Sequence, residues 1–339
     1  MSGVALVAGA SRGLGLLISA ELVARGHRVH GCARDRAELD RAEELVNSGA
    51  VGPSGGSGGS GDHSGTGRGE FVGHVCDVSD ADAVTAWVTE VQATEGRLDV
   101  AIHVAGIIQV GPVETTTLGY FRAAIDTMLL GPVHLCLAVL PTMLDAGAGR
   151  IGVVSSVGGV VSVPHLLPYS VAKFGAVGLT EGLQAELSGT GVTATTIVPG
   201  LMRTGGHVHA QFVGDAAKDY AWFAPGASLP LLSVSAERAA RRIVDAVLAG
   251  RSQVELTPLT WVGRRVHGLA PGPTTFLLGL VAQALPHGEA QAPSMSGHSS
   301  HVEGAQARRS LGSRVVNTVS VLGDRAARRL NQTAQREAG

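Results

Sequence analysis

The chain has 339 residues, 45% of them hydrophobic and 16% charged, with a net charge of −2. That is the composition of a globular protein, and it excludes a basic nucleic-acid surface. Its three cysteines, Cys32, Cys76 and Cys136, are odd in number and lack metal-like spacing, so neither a disulfide scaffold nor a metal is expected.

The opening segment, GVALVAGASRGLGLLISAELVARGHRVHGCAR, reads strand, glycine turn, helix, strand. Val4 to Ala8 form a short buried strand. Gly9, Gly13 and Gly15 punctuate the turn, and Leu16 to Ala24 carry a helical period that Gly26 stops. Such glycines let the backbone approach a diphosphate, and the helix N-terminus favours its charge. The spacing is Gly-x-x-x-Gly-x-Gly, unlike the usual dinucleotide fingerprint Gly-x-Gly-x-x-Gly. The second strand, Arg28 to Cys32, is followed by Ala33 and Arg34, where an NAD site would place a carboxylate for the ribose. Asp35 comes one or two places late, and Arg12 lies inside the turn. Two guanidiniums flanking that position suit a 2′-phosphate, so the expected coenzyme is NADP(H).

Residues 52–69, GPSGGSGGSGDHSGTGRG, interrupt the second crossover and read as a flexible surface loop. Strands follow at Glu70 to Cys76 and Val100 to His103. The apolar run MLLGPVHLCLAVLPTML, residues 128 to 144, contains Gly131, Pro132 and His134. It reads as a buried or interface helix rather than a membrane span, with Pro132 kinking or starting a segment. A strand over Arg150 to Ser155 delivers Ser156. Thirteen residues later come Tyr169 and Lys173, one helical turn apart on one face. A lone phenol titrates near pH ~10, and a neighbouring ammonium is expected to lower that value. A serine that holds a substrate oxygen while the tyrosine passes it a proton is equipment for carbonyl or alcohol chemistry. Strands at Val192 to Val198 and Gln253 to Leu256 complete an alternation of strands and helices. The fold class is α/β, a Rossmann-type doubly wound parallel sheet with its site at the carboxyl ends of the strands.

These motifs resemble the classical short-chain dehydrogenase/reductase family, in its order, over roughly residues 1 to 250. GASRGLG is similar to the family's coenzyme turn, carrying Gly9, Ser11, Arg12, Gly13, Leu14 and Gly15. CDVSD is similar to the segment whose Asp77 and Val78 meet the adenine. LDVAIHVAG takes the place of its Asn-Asn-Ala-Gly motif, with His103 and Val104 for the asparagines and Ala105 and Gly106 retained. IVPGLMRT is similar to the stretch whose Pro199, Gly200 and Thr204 meet the nicotinamide, with Ile197 and Val198 lining the pocket. The resemblance implies Tyr169 as general acid/base, Lys173 as holder of the ribose and tuner of the tyrosine, and Ser156 as the group orienting substrate. The family's relay asparagine aligns with Met128, which removes a polar step from the proton path. The resemblance also implies a homodimer or tetramer built on the helices around residues 118 to 140 and 169 to 188.

Specificity is expected in Leu201 to Leu232. Phe212, Tyr220, Trp222 and Phe223, with Ile107, Ile108 and Leu166, suggest an apolar pocket under a lid for a hydrophobic ketone, aldehyde or alcohol. His207, His209 and Arg203 read as ordinary polar residues. The domain reading is a Rossmann-type unit over 1–256, a helical extension over 257–285, and a low-order tail over 286–339 with a short terminal helix. The extension packs on the body or a partner subunit, with a weak peripheral membrane contact as the alternative. No signal peptide is evident, which makes the expected location cytoplasmic. The expected function is an NADP(H)-dependent oxidoreductase. The alternatives are a noncatalytic NADP(H)-binding regulator or scaffold, motivated by His103, Val104 and Met128, and an isomerase or dehydratase on the same fold.

Overall fold

The computed structural model describes residues 3–52, 68–228, 233–287, 301–313, 316 and 320–332. Seven parallel strands form the central sheet, in the spatial order β11-β7-β6-β4-β1-β2-β3. They are β1 (Val4–Ala8), β2 (Arg28–Ala33), β3 (Phe71–Val75), β4 (Val100–His103), β6 (Gly149–Val154), β7 (Val192–Val198) and β11 (Gln253–Glu255). The order reverses between β1 and β4, which both pair in register from Ala5 opposite Val100. That switch point opens the crevice in which such folds bind ligands.

Side chains alternate across the sheet with period two, and each face feeds its own core. Ala5, Val7 and Ile102 pack with α1 (Gly13–Ala24), α2 (Arg36–Asn47) and α8 (Ala236–Leu248). Leu6, Ala8 and Ala101 pack with α3 (Ala81–Glu95), α5 (Gly131–Asp145) and α6 (Leu167–Glu186). Helix α1 is buried on nearly every side, which explains why GLGLLISAELVA shows no polar face. Helix α4 (Leu118–Ile125) leads into α5 through a π turn over Asp126–Leu130, and Pro132 sits in the first turn of α5. The continuous stretch Leu118–Asp145 is long and apolar enough to cross a membrane, but its inner face packs against α3 and α6.

Short strands stand outside the main sheet. β8 (Leu201–Arg203) pairs with β10 (Ser233–Ser235), and β9 (Gln211–Phe212) lies between β5 (Gln109–Val110) and β12 (Val302–Glu303). Helix α7 (Ala216–Ser228) lies over the β9 side. The extension forms α9 (Pro258–Leu269) and α10 (Pro271–Gln283). It touches the body through buried Thr260 and through Leu278, while Leu269 is 89% exposed and Phe276 68%.

The tail carries its expected short terminal helix and, beyond expectation, is seated on the body. Val302 joins the β9 edge, α11 (Gly304–Leu311) buries Ala307 against α7, and α12 (Val321–Arg329) buries Ala327 and Leu330. Its composition is polar, yet a small residue every few positions is enough to seat a helix whose arginines point outward. Of the glycine- and serine-rich insertion, residues 53–67 lie outside the described residues, as do 288–300 of the tail.

The turn after β1 fixes the crevice. Gly9 (φ +85°) and Gly13 (φ +58°) occupy the left-handed region, and a Cβ on Gly15 would overlap the Gly9 carbonyl oxygen. Gly15→Ala is therefore expected to cost ~1–3 kcal/mol of stability through a forced backbone shift. A urea unfolding midpoint equal to that of the unchanged protein would show that the turn relaxes freely.

Candidate active site

The end of β6 and the first turns of α6 are locked together. Ser155 Oγ donates to the Lys173 carbonyl at 2.8 Å, and its amide donates to the Ile197 carbonyl at 2.8 Å. Gly159 lets the helix approach, since a Cβ there would overlap Ser155 Oγ and the Lys173 backbone. The lock presents Ser156, Tyr169 and Lys173 to one cavity of about 960 Å³. Ser156 Oγ accepts from the Gly158 amide at 3.1 Å. Lys173 Nζ donates to the Val154 carbonyl at 2.7 Å and lies 5.8 Å from the centre of the Tyr169 ring.

Burial dominates the electrostatics. It drives the Lys173 amine down to about 7. It also raises the Tyr169 phenol, against a smaller lowering from its hydrogen bond with Ser156. The tyrosine therefore lies above its ordinary value, against the expected lowering, because burial disfavours the phenolate. Met128 is fully buried in the π turn and lines the same cavity. A Cβ on Gly106 would stand 3.3 Å from Met128 Sδ and 3.8 Å from Lys173 Nζ, so both side chains border the same glycine.

The expected coenzyme residues converge on that cavity with three exceptions, His103 and the pair Ile197 and Val198, which are buried in the core behind it. Gly9, Ser11, Arg12, Gly13, Leu14, Gly15, Arg34, Asp77, Val78, Ala105, Gly106, Pro199, Gly200 and Thr204 all line it. His103 does not. Its ring is buried beneath the sheet end, against Gly131, where only a glycine leaves room for Nε2. Burial first, then Lys173 and His134, push it down to about 3, so it stays neutral. Ala105 passes close under Gly9, where a Cβ would overlap its backbone amide. A backbone cradle that excludes any Cβ, backed by the first amides of α1, fits a dinucleotide's diphosphate.

At the adenosine end, both guanidiniums have carboxylate partners. Arg12 Nη1 donates to Glu38 Oε1 at 2.9 Å, and Ser11 Oγ donates to Glu38 Oε2 at 2.9 Å. Arg34 lies 4.0 Å from Asp77 and is 70% exposed. Glu38 was not among the expected residues. The signal for it is the Asp35-x-x-Glu38 pattern at the start of α2, where Asp35 caps by accepting from the Glu38 amide at 2.9 Å.

On the opposite side the cavity is apolar. Ile107, Ile108, Leu166, Trp222 and Phe223 line it. Phe212 and Tyr220 instead fill the core behind, with Phe212 edge-on to both Tyr220 and Phe223. Asp219 is fully buried and anchors this wall, accepting from His165 Nδ1 at 2.8 Å and Trp222 Nε1 at 3.0 Å. Arg203 points away, to the Ser233 carbonyl. His209, expected as an ordinary polar residue, lines the cleft 3.5 Å from Arg12. Gln332, also unexpected, lines it from the tail. Among the described residues no group of three His, Cys, Asp or Glu side chains is placed to hold a metal.

A family model described as short chain dehydrogenase matches residues 62–211. A D-threitol dehydrogenase of Mycolicibacterium smegmatis is 33% identical over 201 residues, covering 59% of this chain and 70% of that protein. The dehydrogenase/reductase SDR family member 7B of Danio rerio is 30% identical over 215 residues, 63% of this chain and 65% of its own length. The chain thus spans about two thirds of the length of these relatives. Among solved structures, a short-chain dehydrogenase from Streptomyces avermitilis superposes with a TM-score of 0.66 at 28% identity, covering 83% of this chain and 97% of that one. The actinorhodin polyketide ketoreductase with NADPH gives 0.61 at 26% identity, covering 76% and 97%.

The buried lysine makes a pH-dependent prediction. Native Lys173 loses its proton near 7, whereas in the unfolded chain it keeps it to ~10.4. Between those values the unfolded chain binds the extra proton, so raising the pH stabilises the native state; below them the burial penalty is full. Lys173→Met is expected to stabilise the protein by roughly 2–4 kcal/mol at about pH 6, a margin that shrinks toward about pH 10. Urea unfolding of both proteins across that range tests this, and a margin independent of pH contradicts it.

Proposed function

The chain belongs to the short-chain dehydrogenase/reductase family, and on that premise we propose that it is an NADP(H)-dependent oxidoreductase acting on a hydrophobic ketone, aldehyde or secondary alcohol. The observation that carries this reading is the meeting of Ser156, Tyr169 and Lys173 with the glycine cradle in one cavity. A bound nicotinamide coenzyme supplies or accepts the hydride. Gly13, Leu14 and Gly15 would hold its diphosphate, Asp77 and Val78 its adenine, and Pro199, Gly200 and Thr204 its nicotinamide. Arg12 and Arg34 would take a 2′-phosphate, which would compete with Glu38 for Arg12 and with Asp77 for Arg34. The NADPH carried by the related ketoreductase supports the same choice.

In reduction, Ser156 Oγ orients the substrate oxygen and Tyr169 Oη gives it a proton. The resulting phenolate is stabilised by the Lys173 ammonium and reprotonated from solvent. Oxidation runs the same proton backwards. Trp222, Phe223 and Leu166 exclude water and favour an apolar substrate. A homodimer or tetramer through α5 and α6 is consistent with Leu137 being 64% exposed, and with exposed Val171 and Phe174. The bare apolar face of α9 and α10 leaves room for a partner or a membrane contact as well.

The first test is to titrate the protein with NADPH and NADH and then follow coenzyme absorbance against hydrophobic ketones, aldehydes and quinones. NADPH is expected to bind more tightly, and Arg12→Ala to erase most of that preference. Tyr169→Phe is expected to lower kcat by at least ~100-fold while coenzyme binding is retained, as befits loss of a general acid. Near-normal turnover in that variant would sink the assignment. A second reading, a noncatalytic NADP(H)-binding protein, is favoured by one observation, the apolar Met128 beside Lys173. Tight NADPH binding without turnover on any member of the panel is the result it requires.

A further inference from the structure

Residues 320–332 end in the cleft that the proposed coenzyme would occupy. Helix α12 runs against Gly205, where a Cβ would overlap Ala327, and it inserts Ala327 and Leu330 into the core. It stops in a Schellman turn. Asn331 takes the left-handed conformation (φ 58°), and the Gln332 amide donates back to the Ala327 carbonyl at 2.9 Å. That cap lays three groups on the glycine turn.

The Leu330 carbonyl accepts from the Gly13 amide at 2.9 Å. Asn331 Nδ2 donates to the Ser11 carbonyl at 2.8 Å and the Glu38 carbonyl at 3.1 Å, and its Oδ1 accepts from Arg41 at 3.2 Å. Gln332 Nε2 donates to the Thr204 carbonyl at 3.3 Å, while the Gln332 carbonyl contacts His209 Nε2 at 2.6 Å. Gln332 Nε2 also stands 2.7 Å from where a Cβ of Gly13 would lie. The cap therefore ties the two walls of the cleft together, the glycine turn on one side and the Thr204–His209 segment on the other.

A dinucleotide at this cradle must pass its diphosphate between those walls and take the first amides of α1. One of those amides, that of Gly13, is already paired to a neutral carbonyl, and an uncharged amide bridges the gap. We propose that residues 320–332 form an autoinhibitory strap, with the Leu330 carbonyl and the Gln332 side chain holding the place of the coenzyme's diphosphate. The inference rests on the nicotinamide-coenzyme reading above. An anion outcompetes a neutral carbonyl at a helix N-terminus, so coenzyme displaces the cap. The closed population lowers the apparent affinity in proportion.

The test uses the full chain. Asn331→Gly preserves the left-handed cap and Gln332→Ala preserves the backbone, so the double variant loses the Asn331 and Gln332 side-chain bridges and keeps the backbone contacts of Leu330 and Gln332, with Ala327 and Leu330 still seated. NADPH is expected to bind the double variant ~10-fold more tightly than the unchanged protein, the gain from removing a closed state. In the unchanged protein, backbone amides of 321–332 are expected to exchange hydrogen faster once NADPH saturates it. Equal or weaker NADPH binding by the double variant overturns the strap, as does slower exchange of the tail on saturation. Either result leaves the coenzyme reading standing. Failure of NADPH and NADH to bind either protein overturns both.

Discussion

An ammonium group costs free energy wherever it is buried, and Lys173 is held in place because the backbone around it leaves no alternative. Ser155 grips the lysine's own carbonyl, Gly159 lets the helix close, and the Val154 carbonyl receives the ammonium. Those contacts join β6 to α6, and every other feature of the site follows from the join. It aims Tyr169 across the cavity from the glycine turn and sets Ser156 at the strand end. Met128, a weak acceptor, lines the same cavity as the amine. The same low-dielectric pocket that depresses the lysine raises the tyrosine, so the two groups are tuned by desolvation before any charge they exchange.

Much of this was legible in the sequence because it is periodic or local. The seven central strands read directly from continuous apolar runs, since a strand buried on both faces has no polar side. Ser156, Tyr169 and Lys173 were legible because a four-residue helical spacing fixes geometry regardless of context. Phe212 and Tyr220 were legible as a group with Trp222 and Phe223, but which pair faces substrate depends on how α7 rolls against β9, a tertiary matter. His103 looked like a wall residue by alignment. Its side chain drops beneath the sheet only because Gly131, twenty-eight residues on, leaves a hole.

Of the tail, the terminal helix was legible and its seat on the body was not. Local composition judges whether a segment builds its own core, and 301–332 does not. It borrows one instead, through Val302 at the β9 edge, Ala307 on α7, and Ala327 against Gly205. The Asn331 cap was visible as a residue tolerant of the left-handed region, but nothing nearby in sequence announces that it lands on Ser11, three hundred and twenty positions away. Extension helices α9 and α10 show the converse. Their composition looks like core, and their outer faces are bare.

The lysine count gives the cleft a chemical handle. Only two lysines occur in the chain, Lys173 and Lys218. Lys218 is exposed and held protonated by Asp215, which raises its pKa. Lys173 releases its proton near neutrality and lines the cavity. Acylating or aldehyde reagents attack unprotonated amines, so near neutrality charge no longer protects Lys173, and what shields it is its burial. The reactivity of that one amine thus reports how far the cleft admits a small molecule.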